Sequence, residues 1–202
     1  MIEERFELIK ERIGLLEIDK EVQSEYAAFF GEIFGFAQMV LETYELIKNG
    51  EFYQMSPEDL RKINRSLYEG IFPENYVNSH FNPEYSVKCF GKEMGQFLSF
   101  LAAEMRALIG FAFERDLEAM VIRLELLLEI YTSFVTAKEE NVPVSVSLLK
   151  ENAYWFLSDY AKQEGREVIR NQIDPSRDFA KKIIMESDLT DLRYLYYYGE
   201  YI

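Results

Sequence analysis

An all-α fold, a single-domain helical bundle or array of about eight helices with no sheet, follows from three features of the chain. Apolar residues return at steps of three and four along most of its length, helix-start signals precede those runs, and no run alternates apolar and polar residues as a half-buried strand does. At 202 residues, 49% hydrophobic and 15% aromatic, the chain can bury one substantial core, so residues 1–202 are read as one helical domain. No solenoid-length repeat is present.

Ile2, Phe6, Ile9, Ile13 and Leu16 mark the first helix. A second, longer one carries Tyr26, Phe30, Ile33, Ala37, Val40 and Ile47 and stops at Asn49-Gly50, residues suited to a left-handed cap. "SPEDL" at 56–60 places a capping serine, a first-turn proline and two acids at the start of a third helix through Leu60, Ile63 and Leu67. "NPEY" at 82–85 starts a fourth, expected to run unbroken through Val87, Phe90, Met94, Leu101 and Leu108 to Phe113. Asp116 caps a fifth, whose stretch from Leu117 to Phe134 is apolar on most sides, as a core helix surrounded by neighbours is. "NVPVS" at 141–145 breaks the chain before a sixth helix through Leu149, Ala153, Phe156 and Tyr160 to Asn171; two shorter helices start at Asp174 and Ser187.

Twenty-two basic against thirty-six acidic residues give a net charge of −14, which repels nucleic-acid phosphates and anionic membrane surfaces. "MIEERFELIKERIGLLEIDK" has neither the basic-then-apolar order of a secretory signal nor the acid-poor character of a transit peptide, so the expected location is cytoplasmic. Glu104, Arg106, Glu114, Arg123 and Glu125 interrupt the most apolar stretches, and no membrane span is expected.

Cys89 is the one cysteine and His80 the one histidine, which rules out an internal disulfide and the common Cys/His zinc clusters. Nine residues apart, with the histidine in a loop and the cysteine two turns into a helix, they show no third, orienting group, and Cys89 reads as a small buried hydrophobe. Glu118, Glu125 and Glu129 share one side of the fifth helix and read as a solvated or salt-bridged strip, since a di-iron bundle needs Glu-x-x-His motifs that one histidine cannot supply. Phosphate loops, nucleophile elbows and metalloprotease motifs are absent from the sequence. No catalytic residue, metal ligand or cofactor is therefore assigned to this segment.

Two features read as structural. Gly31 with Gly35, and Gly91 with Gly95, sit four apart in helical stretches; each interior glycine costs about 0.8–1 kcal/mol against alanine, which suggests close packing as compensation. Glu104 falls between Leu101 and Leu108 on the buried side of its helix, with Arg106 and Arg123 as partners for a buried ion pair.

"NPEYSVKCFGKEMGQFLSFLAAEMRALIGFAFE" at 82–114, "YWFLSDY" at 154–160 and "IDPSRDFAKKIIMESDLTDLRYLYYYGEYI" at 173–202 resemble the N-terminal region of clostridial leucyl aminopeptidases of the aminopeptidase T type. The resemblance implies a non-catalytic N-terminal helical domain of a longer chain, serving domain docking, oligomerisation or substrate access, with the metal-dependent peptidase part beyond Ile202. The implied partners are that downstream domain and further copies of the chain. Tyr194, Tyr197, Tyr198 and Tyr201 then supply amphipathic aromatic area for contact. From a different class, a free-standing helical module binding a small apolar ligand or peptide in an aromatic-rich groove remains the alternative.

Overall fold

The computed structural model describes residues 1–18, 24–71 and 76–151, and all regular structure among them is helical. Helix α1 (Ile2–Leu15) turns Phe6, Ile9 and Ile13 into the interior, the face that the four-three spacing marks out. It lies along α2 (Ser24–Lys48), where the Phe6 and Tyr44 rings meet edge to face at 5.1 Å and Lys10 donates to Glu45 at 3.2 Å. α2 buries Phe29, Phe30, Ile33, Ala37, Val40 and Ile47. It ends where Gly50 takes φ +75° and its N–H reaches the Ile47 carbonyl at 3.1 Å.

A 3-10 turn at Phe52–Gln54 leads to α3 (Pro57–Ile71), whose N-terminus is capped as the sequence predicts: the Asp59 N–H donates to Ser56 Oγ at 3.2 Å. α3 approaches α2 through Gly70, where a Cβ would stand 2.7 Å from Met39 Cε and 2.9 Å from the Phe36 ring. A second 3-10 turn, Tyr76–Asn78, and the reversal at 79–82 lead to α4 (Pro83–Phe90), started by the Glu84 N–H donating to Asn82 Oδ1 at 3.0 Å.

The single helix expected from Asn82 to Phe113 is two. The chain breaks at Gly91, with φ +81° and ψ 172°, and restarts as α5 (Lys92–Glu114). α4 then lies so tightly against the first turns of α5 that a Cβ on Gly95 would stand 2.4 Å from Val87 Cα and 2.6 Å from the Ser86 carbonyl oxygen. Of the four glycines expected to permit close approach, Gly95 does so. Gly91 is a joint between helices; among the described residues a Cβ on Gly31 would meet Ile18 Cδ1 at 3.8 Å, and the exposed Gly35 has nothing within 4 Å. Small size on a helix thus marks an interface only where a neighbouring helix arrives, with its backbone at Gly95 and its side chains at Gly70.

Among the described residues α5 alone is long and apolar enough to cross a membrane by length and composition. Here it is the helix on which α2 and α4 pack, with Phe97, Leu98, Leu101, Met105 and Leu108 shut away from water. Arg115, at φ 58°, closes α5, and Asp116 accepts from the Ala119 N–H at 3.0 Å to open α6 (Leu117–Glu139).

The chain divides into two compact units, Met1–Leu127 and Leu128–Ile202, with the boundary inside α6. In the first unit Met120, Val121, Leu124 and Leu127 are wholly buried, as the sequence predicts of the fifth apolar segment. In the second, Ile130, Phe134 and Ala137 are buried, Asn141 adopts φ 53°, and Ser145 Oγ accepts from the Leu148 N–H at 3.2 Å to start a helix described over 146–151. The helices expected from 153 onward, and Tyr194, Tyr197, Tyr198 and Tyr201, lie outside the described residues.

Candidate functional site

His80 is the centre of the most chemically unusual cluster among the described residues. It lies in the reversal between the second 3-10 turn and α4, and only 4% of its surface is exposed. Such a turn has several polar groups to satisfy, and one carboxylate from α2 takes three of them, one backbone N–H and two side chains. Glu32 Oε2 accepts from His80 Nδ1 at 2.7 Å and from the His80 backbone N–H at 3.0 Å, while Oε1 accepts from the Ser79 hydroxyl. Ser79 Oγ in turn accepts from the Phe81 N–H at 3.2 Å, and Ser86 on α4 donates to the His80 carbonyl at 3.0 Å.

This arrangement sets the tautomer. A carboxylate can only accept, so the Glu32 contact places a proton on Nδ1, and in the neutral ring Nε2 then carries the lone pair. Burial opposes the charge on Glu32; the hydrogen bonds from the His80 ring, the Ser79 hydroxyl and the His80 amide outweigh it, and the carboxyl lies below its ordinary pKa. His80 Nε2 is buried and has no hydrogen-bond partner among the described residues.

Helical spacing brings the remaining groups in. Glu25, Phe29 and Glu32 follow one another at four and three residues on one side of α2, and Tyr85 and Cys89 are one turn apart on α4. A ring nitrogen of His80, a carboxylate oxygen of Glu25 and Cys89 Sγ all lie within 4.8 Å of one another. Aromatic rings wall the imidazole: Phe29 at 5.6 Å and perpendicular, Tyr85 at 5.3 Å, Phe90 at 5.7 Å, with Tyr26 stacked on Phe90 at 4.7 Å. Cys89 is half-buried and Glu25 exposed, so the cluster opens to solvent at that end.

The sequence places His80 in a loop and Cys89 in a helix, and both are found there. The orienting group that the sequence does not reveal is Glu32, 48 residues before His80. Chemically the cluster offers a lone pair on an oriented imidazole beside a thiol and a carboxylate. That set suits either proton transfer or cation coordination.

The other site residues are structural. Glu104 and Arg123 form the expected buried pair, with Arg123 Nε 3.6 Å from Glu104 Oε2, and the guanidinium also donates to the Ala119 carbonyl at 2.7 Å and lies over the Phe111 ring at 4.1 Å. Arg106 is drawn to the histidine turn: it donates to the Phe81 carbonyl at 2.6 Å and sits over the rings of Phe81 and Tyr76 at 5.1 and 5.6 Å. Glu125 is salt-bridged, accepting two bonds from Arg5 at 2.6 and 3.0 Å. The chain matches no family model, no curated protein and no solved structure.

Proposed function

We propose that this protein is a non-catalytic helical domain of a leucyl-aminopeptidase-like metallopeptidase, serving domain docking, oligomerisation or substrate access. The observation that carries the reading is where residues 82–114, the longest stretch of the resemblance, are found. They fold as α4, the Gly91 joint and α5, the scaffold on which α2 packs. Their charged side chains Glu104 and Arg106 turn to the protein's own α6 and histidine turn, and so hold helices together.

The test is enzymatic and structural together. The 202-residue chain, supplied with divalent metal, is expected to release no leucine from leucyl-peptide substrates. The longer polypeptide encoded by the same reading frame is expected to do so, and to lose its native assembly size or its discrimination among peptide lengths when residues 1–151 are deleted. Turnover by the 202-residue chain, or a reading frame with no peptidase part, overturns the proposal.

A further inference from the structure

We propose that Glu25, His80 and Cys89 bind one thiophilic divalent cation of the zinc class, with Glu32 holding the histidine in place. Each part of the geometry bears on this. Sulfur, imidazole nitrogen and carboxylate oxygen are the three donor types that zinc-class ions accept, and they converge here from two helices and a turn. Donor atoms around a tetrahedral zinc lie about 3.5 Å apart. The three groups stand within 4.8 Å of one another, close enough for side-chain rotation, freest in the exposed Glu25, to bring them to that spacing.

The histidine is the decisive member. A metal-bound imidazole typically gives its second N–H to a carboxylate, which fixes the ring and strengthens the ligand. Glu32 does this at 2.7 Å, and the remaining nitrogen, Nε2, is buried with no hydrogen-bond partner among the described residues. A buried polar atom in that condition costs stability unless something fills its lone pair. A protonated Nε2 offers no relief, because it too needs an acceptor.

The carboxylates of Glu25, beside the thiol, and of Glu32, behind the imidazole, suit a divalent cation. Its binding displaces the Cys89 proton to solvent, and its two positive charges balance the thiolate and the Glu25 carboxylate. Three protein ligands leave a fourth tetrahedral position for water or an incoming donor from the exposed side.

The experiment uses the reduced full chain and Co2+ as a spectroscopic probe. One Co2+ per chain is expected to bind with an intense thiolate-to-cobalt charge-transfer band, to be displaced by Zn2+, and Zn2+ is expected to protect Cys89 from iodoacetamide. Cys89→Ser removes the band, and Glu32→Gln weakens binding by about 10–100-fold, the range for losing a carboxylate behind a ligating histidine. No band at about tenfold excess Co2+, a band that survives Cys89→Ser, or alkylation unaffected by Zn2+ overturns the site. The first and third results come from the native chain and do not depend on how any variant folds. None of these outcomes touches the peptidase-domain reading, which is tested by turnover and assembly.

Discussion

Arg123 of α6 lies 3.6 Å from Glu104 of α5, and both side chains are almost wholly shut off from water. The pair is also clamped on the arginine side by the Ala119 carbonyl and the Phe111 ring. Taking one charge away strands the other in a low-dielectric interior. Glu104→Ala is expected to lower unfolding free energy by about 3–5 kcal/mol, read by urea denaturation. Replacing both residues with apolar side chains of similar volume is expected to cost far less; equal losses in the single and double variants contradict the pairing.

Gly95 and Gly35 are expected to respond in opposite directions to the same change. A methyl on Gly95 collides with the Val87 backbone at 2.4 Å, which cannot swing aside as a side chain can. Gly95→Ala is expected to destabilise by about 1–3 kcal/mol. Gly35 is helical and exposed, and Gly35→Ala is expected to stabilise by about 0.5–1 kcal/mol through a less flexible unfolded chain. Melting temperatures of the two variants decide it.

Arg106 ties α5 to the turn that carries His80 through its 2.6 Å bond to the Phe81 carbonyl. Its removal is expected to cost about 1.5–3 kcal/mol, the range for a hydrogen bond made by a charged group. The loss should be local as well as global. Amide exchange at 76–82 in Arg106→Ala is expected to quicken more than exchange within α5, and uniform quickening argues against the tie.

Alkaline pH is expected to weaken the α1–α2 contact. The hydrogen bond that Lys10 donates to Glu7 raises its pKa against the opposing effect of burial, and Glu45 raises it further. Burial, then the Glu45 charge, raises that of Tyr44. Both groups bind protons more tightly folded than unfolded, so their contribution is intact below about pH 10 and is lost as pH rises through their folded values. Lys10 is about one-third exposed, which keeps its share below about 1 kcal/mol. The urea midpoint of Lys10→Met should fall less steeply than that of the native chain between pH 9 and about 11.

Local chemistry was readable from the sequence because it acts over a few residues. Ser56, Asn82 and Asp116 cap the helices they were assigned to, Gly50 closes α2, and the four-three spacing of Phe6, Ile9 and Ile13 marks the buried face of α1. The break at Gly91 was hidden because Phe90 and Met94 continue the helical period across it, and only a backbone angle interrupts the chain. Gly70 and Gly35 look alike in the sequence, because what meets a glycine is decided by another helix. The histidine site was legible only in its parts. His80 and Cys89 are close in sequence, but Glu25 and Glu32 come from α2, and two acids on a long helix look like solvated charge until the fold brings a turn against them.

Gly91 links α4 to α5 with one residue and no slack. Adding a single residue within the first turn of α5 would rotate the rest of that helix by about 100° and advance it about 1.5 Å. Gly95 would leave the Val87 backbone, a larger neighbour would take its place, and Cys89 would be pried from the imidazole. At this point of the polypeptide, length is constrained as tightly as composition: many substitutions are survivable, but an insertion or deletion here breaks the seam between two helices and the donor cluster together.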